Sequence, residues 1–341
     1  MRKPYVLLLS LLCLLGLLAL PAGPAHAADN GSWSVYPVAS KIAARPYFTL
    51  AAEPGQTLTD RVAVRNRTGR PLTFRLYAAD AYNTARDGGF AVRTAGERMR
   101  GVGAWARPAR ARITVPGHRT VTVPFTVQVP EGAEPGDHPG AIVALDERVD
   151  PGSGRLALGV RRAVGARVYL RVDGPALPGL AVEHLRISHH QPLVPGLGDS
   201  TATLSYTLRN TGNVTLSPKV ELKARGLFGR TLLDRELTRV PAELLPGQRV
   251  RLTETWRGAP QLDRADVTLT ARAQDTRESA SAGFLALPWL VVTLVFTAGV
   301  LTGALLVRAR RVRARRSAPG RPSPRERTTP SRPRSSPSGR P

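Results

Sequence analysis

The chain has 341 residues, of which 49 are basic, 25 acidic, 30 proline and 32 glycine. This length suggests about two domains. The single cysteine, Cys13, lies in an apolar run near the N-terminus. The rest of the chain therefore has no thiol for a disulfide, a cysteine–metal cluster or a cysteine nucleophile. Composition excludes disulfide scaffolds, cysteine zinc fingers and thiol enzymes.

The first 27 residues have the pattern of a secretory signal peptide. Arg2 and Lys3 precede the uncharged apolar run Val6–Leu20, and Ala25-His26-Ala27 gives a small-x-small cleavage site, which is typical of such peptides. Two alternatives remain. A lipoprotein would be processed at Cys13, which has no small residue before it, and an uncleaved anchor is disfavoured by the proline-containing exit. We predict cleavage after Ala27.

A second uncharged apolar run, Phe284–Val307, has 24 residues. A helix of that length spans about 36 Å, more than the roughly 30 Å of a hydrocarbon core. Six arginines follow between Arg308 and Arg316, and such a cluster stays on the cytoplasmic side. The sequence predicts a single-pass protein of the cell membrane that contacts lipid through residues 284–307, with its N-terminal domains extracellular.

The tail, residues 308–341, is rich in arginine, proline and serine and too poor in apolar residues to fold. It carries +11 of the total charge of +24, and residues 28–307 carry another +11. We predict a disordered cytoplasmic tail. Because this topology places the folded part outside the cell, nucleic acid is not an expected partner. The basic exterior suits an anionic wall polymer instead, through attraction that weakens with salt.

Residues 28–283 alternate between apolar and polar side chains in many segments. In Arg119–Pro130 the valines and Phe125 share one parity, and in Thr201–Asn210 the residues Ala202, Leu204, Tyr206 and Leu208 do so. This period of two indicates half-buried strands with the apolar face inward. The segments around Val168–Val172 and Val267–Ala271 follow the same rule. Strands at this spacing, separated by Gly, Pro and Asn turns, indicate antiparallel sandwiches.

A Pro-Gly pair precedes an alternating segment three times, at Pro54, Pro116 and Pro246. Each pair predicts a tight turn that starts a strand, with glycine supplying a positive φ. The recurrence divides the chain into two domains of related design, residues 33–173 and 180–275, joined by a linker at 174–179. We predict an all-β fold, two tandem immunoglobulin-like antiparallel β-sandwiches plus one C-terminal transmembrane helix.

The first domain resembles the peptidoglycan-binding domain of WxL-interacting proteins, a surface family of Gram-positive bacteria. The likeness covers SVYPVASK (Ser34–Lys41), residues Pro46–Thr84, the Asp-Gly-Gly turn at Asp87–Gly89 and Glu134–Glu147, spread in the family's order over about 110 residues. The composition, rich in Arg, Ala, Gly and Pro, suggests an actinobacterial-type member. The resemblance implies a signal peptide, tandem sandwiches, one anchor and peptidoglycan binding by the first domain.

The loop DAYNTARDGGF (Asp80–Phe90) combines groups that a glycan needs, and Trp105 follows in a stretch rich in small residues. The aromatic rings offer apolar faces and the polar side chains offer hydrogen bonds. The candidate ligand-binding residues are Asp80, Tyr82, Asn83, Thr84, Asp87, Phe90 and Trp105. Two alternatives remain open: the loop is a structural β-turn with Tyr82 packed inward, and Trp105 fills the core or a sheet edge.

No motif of catalysis is present: the sequence has no nucleophile elbow and no Gly-rich phosphate loop between a strand and a helix. His189 and His190 would point to opposite faces of a strand, so no metal site and no cofactor are predicted. The sequence predicts a non-catalytic, membrane-anchored surface protein that binds peptidoglycan or another anionic cell-wall polymer. The alternative is an interaction scaffold or adhesin, in which an exposed sheet edge accepts a strand of another surface protein.

Overall fold

The computed structural model describes residues 29–39, 45–148 and 161–316. The predicted signal peptide lies outside these ranges, as does the predicted disordered tail (308–341) after residue 316. Residues 308–316, predicted to be disordered, instead continue the C-terminal helix. The described residues form two β-sandwiches in tandem, followed by a long C-terminal helix, which confirms the predicted fold class.

The first sandwich packs a four-stranded sheet, in the order β1-β3-β8-β6, against a six-stranded sheet, in the order β2-β10-β9-β4-β5 with β7 also paired to β4. Its strands are β1 (Trp33–Pro37), β2 (Phe48–Ala52), β3 (Thr57–Asn66), β4 (Leu72–Asn83), β5 (Phe90–Val92), β6 (Ala106–Pro108), β7 (Arg112–Val115), β8 (Thr120–Gln128), β9 (Gly136–Asp146) and β10 (Ala163–Val172). The helical turn α1 (Val102–Trp105) precedes β6. Neighbouring strands are antiparallel except β2 and β10, which run parallel.

Alternation along β8 places its apolar side chains in the core, as the sequence predicts. Val123, Phe125 and Val127 are buried, while Pro124 is exposed and Thr126 half-buried between them. Across the two sheets the ring of Phe125 meets that of Phe48 edge-on, with 4.9 Å between centroids. Burial of one such side chain contributes about 1.5–3 kcal/mol to stability, so this layer holds the two sheets together.

The second sandwich packs β11-β12-β15 against β14-β13-β16-β17. Its strands are β11 (Leu180–His190), β12 (Thr201–Asn210), β13 (Lys219–Arg225), β14 (Thr231–Leu237), β15 (Arg249–Arg257), β16 (Asp263–Ala273) and β17 (Thr276–Ala286). The predicted end of this domain at 275 is too early. β17 pairs with β16 along its whole length, from Ala273 opposite Thr276 to Asp263 opposite Ala286.

The long helix α2 (Trp289–Arg316) begins five residues after the predicted start at 284. Phe284 belongs to β17, because it pairs with Ala265 of β16. Its ring stacks on that of His189 of β11, with 4.5 Å between centroids. Within Trp289–Arg313 the most apolar window of 18 residues has a mean hydropathy of 2.4, and this is the one helix among the described residues that is long and apolar enough to cross a membrane. The structure therefore contains one helix that could form the predicted membrane span, and this helix starts a few residues later than predicted.

The three Pro-Gly turns precede β3, β8 and β15 as predicted, but they differ in detail. Gly55 and Gly247 have φ of 81° and 69°. In the middle turn the left-handed residue is His118, with φ of 57°. Gly117 is required there for another reason: a Cβ at this position would lie 2.3 Å from the carbonyl oxygen of Gly69.

A buried asparagine ends the equivalent strand of each sandwich. The side-chain amide of Asn66 donates to the carbonyls of Arg70 (2.7 Å) and Val115 (3.0 Å). That of Asn210 donates to the carbonyls of Val214 (2.7 Å) and Leu244 (2.9 Å). Each amide thus bonds the end of its strand to carbonyl groups of two neighbouring segments of the chain. Both sandwiches contain this arrangement, a buried asparagine at the end of a strand bonded to neighbouring carbonyls, which we call the asparagine corner.

Asp263 holds the turn between β13 and β14. It accepts hydrogen bonds from the backbone N–H of Leu227 and the guanidinium of Arg230, both at 2.9 Å. The bond from Leu227 and the charge of Arg230 lower the pKa of Asp263 below its usual value. An acid with a lowered folded pKa stabilises the fold above its unfolded pKa of about 3.9, and this contribution is lost as the pH falls through the folded pKa.

We therefore expect hydrogen-exchange protection of the Leu227 amide to fall about tenfold on acidification from pH 7 to pH 3. Asp263→Asn should show the low protection already at pH 7. The measurement is exchange by NMR or mass spectrometry on the full chain in detergent. Asp234→Asn, which removes an exposed carboxylate on β14, is the control. An Asp263→Asn profile that matches the wild type would contradict the assignment.

Candidate anion-binding surface

Asn83, at the end of β4, joins the two sandwiches. Its buried side-chain amide donates to the carbonyls of Gly88 and Glu243, both at 2.7 Å, and its oxygen accepts the N–H of Leu245 at 2.9 Å. Both polar atoms of this buried side chain are bonded within the protein, so it is not available to a ligand. The loop that follows packs on the second sandwich through Gly88, where a Cβ would lie 2.7 Å from Cβ of Pro241.

A second seam runs along the start of β9. The N–H of Asp137 donates to the carbonyl of Asn213 (2.8 Å), and its carboxylate accepts the N–H of Thr215 (2.7 Å). The amide of Asn213 donates back to the carbonyls of Pro135 (3.0 Å) and Pro175 (2.8 Å). Asn83 and Asn213 therefore act as a reciprocal pair, one from each sandwich, that fixes the angle between the domains.

A third contact joins β10 to the second sandwich. The hydroxyl of Tyr169 donates to the Glu243 carboxylate at 2.9 Å, and Arg167 lies 3.6 Å from the same carboxylate. Burial and the bond to Glu243 raise the pKa of Tyr169 to about 12. The guanidinium of Arg167 covers the ring of Phe90 at 4.2 Å. Phe90, predicted to present a face to a glycan, is instead half-buried in this contact.

The remaining predicted ligand residues also have structural partners. Both oxygens of Asp80 accept backbone N–H groups of residues 100–103, among them that of Gly103 at 2.7 Å. Tyr82 is half-buried beneath the guanidinium of Arg93. Thr84 donates to Asp87, which also accepts the N–H of Gly89. Trp105 packs on the core and lies 4.6 Å from the ring of His138.

The loop is thus the structural turn that the sequence left open, and Tyr82 packs partly inward. Trp105 fills the edge of the core. The seven predicted residues do not form a shared exposed face, although Asp80 and Asp87 each line a cavity at the junction of the sandwiches.

The larger of these cavities is a cleft of about 630 Å³. Its wall includes Arg93, Arg98 and Arg100, but also Glu97, Glu134, Asp80 and Asp137. Glu97 pairs with Arg93, and Asp137 pairs with Arg171. Positive and negative groups are nearly balanced in this cleft, so it has little preference for an anion over a cation.

A different surface is strongly basic. Two cavities of about 370 and 320 Å³ share Arg251: Arg86 and Arg239 line the first, and Arg186 lines the second. We call Arg86, Arg186, Arg239 and Arg251 the arginine strip. All four side chains are exposed, and none has an ion-pair or hydrogen-bond partner among the residues that the structure describes. Asp87 is the one carboxylate on these walls.

Strand pairing explains how Arg186 reaches this surface. Thr207 of β12 lies opposite both Glu183 and Arg251, while Ser205 lies opposite Arg186. The register therefore slips between Glu183 and Arg186, and the extra residue, His184, has φ of 55°. This bulge turns Arg186 to the outer face of the sheet, beside Arg251. Bulges are often found where a strand re-aims a side chain at a site.

Like charges that converge without partners repel each other, and this cost disappears when an anion binds between them. The guanidinium group binds phosphate and carboxylate oxygens in a two-pronged geometry. The strip also extends over both sandwiches, since Arg86 lies in the first and the other three arginines lie in the second. It is therefore better suited to an extended polyanion than to a single small ion.

Sequence reasoning missed all four arginines. The folded part contains many arginines spread along the chain, and no spacing distinguishes these four. The one available signal is at His184, where the buried-face parity changes from Leu180 and Val182 to Leu185 and Ile187. That change of parity indicates a bulge and hence an unusual position for Arg186.

No family model and no curated protein matches the sequence. Among solved structures, the chain is similar to the class 5 fimbriae chaperone CfaA (9% identity, 75% of this chain, 99% of that chain, TM-score 0.34). It is also similar to the Pseudomonas aeruginosa CupB2 chaperone (13%, 71%, 97%, 0.27) and to the Salmonella enterica SafA pilin in complex with the SafB chaperone (9%, 75%, 97%, 0.31). At these values the likeness says nothing about function.

Proposed function

We propose that the chain is a non-catalytic surface protein that is anchored in the cell membrane by α2 and binds an anionic polymer of the cell wall along the arginine strip. The observation that carries this proposal is the convergence of four unpaired arginines on two adjoining cavities. Peptidoglycan, whose stem peptides carry carboxylates, is the polymer that the resemblance to WxL-interacting proteins favours. The arginines between Arg308 and Arg316, at the C-terminal end of α2, support a topology with the sandwiches outside the cell, because such clusters stay on the cytoplasmic side.

The strip changes where the polymer is expected to bind. The sequence assigned peptidoglycan to the first sandwich alone, whereas three of the four strip residues belong to the second. Because each exposed ion pair is worth only about 0.2–1 kcal/mol, no single arginine should dominate. Binding should depend on the sum of the four and on the fixed angle between the sandwiches.

The test is retention of the full chain, in detergent, by isolated peptidoglycan stripped of protein and teichoic acid. Replacing all four strip arginines by Gln should weaken retention at least about tenfold, which corresponds to about 1.4 kcal/mol. Wild-type retention should also fall as salt rises.

The matched control replaces four other exposed arginines, Arg61, Arg65, Arg70 and Arg119 of the first sandwich, by Gln. It removes the same charge and should retain near wild-type binding. Equal losses in the two variants would show that net charge alone is responsible. Retention on unstripped walls only would assign the ligand to teichoic phosphate, and no retention on either material would contradict the proposal.

The alternative, a scaffold that accepts a partner's strand, has less support. The exposed edge strand β14 carries Asp234, Arg235 and Glu236 in succession. Charged side chains on an edge strand oppose the addition of another strand. A single stoichiometric partner recovered from membranes, without wall retention, would favour the scaffold.

A further inference from the structure

Three loops of the second sandwich meet at the end from which α2 leaves. They are residues 191–200 after β11, residues 226–230 after β13 and residues 258–262 after β15. Strand register places them together: Thr201 lies opposite Arg257, Arg225 opposite Asp266, and Asp263 opposite Ala286. Gln261 also bridges two of these loops by bonding to Gly196 and Gly198.

Exposed apolar side chains are concentrated at this end. Outside α2, the described residues include eight large hydrophobic side chains that are exposed, and seven of them lie here. They are Leu193, Val194, Leu197, Leu227, Phe228, Leu262 and Leu285, which we call the apolar rim. Leu193, Leu197 and Leu262 are 70–75% exposed, and Phe228 is fully exposed. The eighth, Leu177, lies in the linker at the opposite end.

The conformation of Phe228 is also unusual. It has φ of 59° and ψ of 22°, a left-handed conformation that a bulky residue adopts rarely. The neighbouring Asp263 holds the backbone of this turn. The tip therefore projects a phenyl ring away from the sandwich, at a strained position of the kind that is common in binding sites.

The rim is tied to the start of the apolar helix. Only Leu287 and Pro288 separate β17 from α2, and two residues span at most about 7 Å. The carbonyl of Leu287 accepts a bond of 2.6 Å from the side-chain amide of Gln191, in the first of the three loops. Trp289, at the first position of α2, is exposed, and tryptophan is common at membrane interfaces. The rim cannot lie far from the plane where α2 would enter lipid.

From this geometry we infer that the apolar rim docks on the outer surface of the lipid bilayer, with Leu197, Phe228 and Leu262 inserted among the headgroups. Exposed apolar patches of this extent mark interaction sites, and the continuity of the rim with α2 identifies lipid as the occupant. The inference rests on the membrane anchorage of the proposed function. It adds that the second sandwich is held against the bilayer, so that the linker end points toward the wall.

The test uses the full chain with its only cysteine removed by Cys13→Ala, reconstituted in nanodiscs of phosphatidylcholine and phosphatidylglycerol. An environment-sensitive fluorophore is attached to a single new cysteine at Phe228, Leu197 or Leu177. A second set of nanodiscs contains lipid with a spin-label quencher in the headgroup region. We expect at least half of the fluorescence to be quenched at positions 228 and 197, and little change at 177.

A fourth label, at Val295 within α2, separates the two claims. Quenching at 295 without quenching at 228 and 197 would overturn the docking of the rim while leaving the anchorage intact. Absence of quenching at 295 would contradict the anchorage itself. Labels at 228 and 197 that are shielded from both the lipid quencher and a water-soluble quencher would show that protein covers the rim, which also overturns the inference. Positions 197 and 228 lie in two separate loops, so a local distortion caused by one label does not affect the result at the other.

Discussion

Replacing Asn83 by Ala should loosen the fixed angle between the two sandwiches. The substitution leaves the buried carbonyls of Gly88 and Glu243 and the N–H of Leu245 without a partner. Each unsatisfied buried group costs roughly 1–3 kcal/mol, and water that enters the opened seam offsets part of it. We expect a loss of about 3 kcal/mol in the free energy that holds the domains together.

The measurement is a distance distribution between spin labels on exposed Arg119 and Arg277, one in each sandwich. The Asn83→Ala distribution should broaden, and retention on peptidoglycan should weaken because Arg86 no longer faces the other strip arginines. Thr84→Ala is the neighbouring control, since Thr84 bonds only within its own turn. If Asn83 were a ligand-binding residue, retention on peptidoglycan would fall while the distance distribution stayed narrow. That result would contradict the role of Asn83 in fixing the angle between the sandwiches.

The strands were predictable from the sequence because burial on one face imposes a period of two. In β12, Ala202, Leu204, Tyr206 and Leu208 are buried, within the predicted bounds. β17 escaped prediction because its solvent face is exposed and its sequence, TRESASAGFLA, is rich in small and polar residues. The last residues of β17 are apolar and directly precede the apolar helix. The sequence therefore shows one continuous apolar segment, in which the boundary between β17 and α2 cannot be recognised.

The candidate site could not be read from the sequence, because polar residues in a turn have the same pattern whether they bind a ligand, cap a loop or bridge domains. Asp80 caps a loop, and Asn83 bridges the sandwiches through groups about 160 positions away along the chain. Residue type and local spacing do not distinguish these roles. Arg86 and Arg251 likewise meet only because the loop after β4 packs on the second sandwich.

Replacing Asn66 by Ala should cause a large loss of stability in the first sandwich. The side-chain amide serves three carbonyls, of Arg70, Val115 and Pro116, and its oxygen accepts the N–H of Thr68. The residue is fully buried; the Val115 carbonyl and the N–H of Thr68 lose this partner inside the sandwich, whereas the carbonyls of Arg70 and Pro116 keep another donor. We expect unfolding to become easier by about 3 kcal/mol, a fall in melting temperature of about 10 °C or more.

The second sandwich supplies a matched experiment, because Asn210 occupies the equivalent corner with two carbonyl partners and one N–H. Asn210→Ala should cause a similar but smaller loss. Gln128→Ala, at an exposed amide side chain at the end of β8, should shift the melting temperature by little. Calorimetry of the full chain in detergent compares all three. Since the corner acts by satisfying buried carbonyls, Asn66→Asp should be at least as damaging as Asn66→Ala, because a carboxylate cannot donate to them. A milder effect of Asn66→Asp would contradict this account.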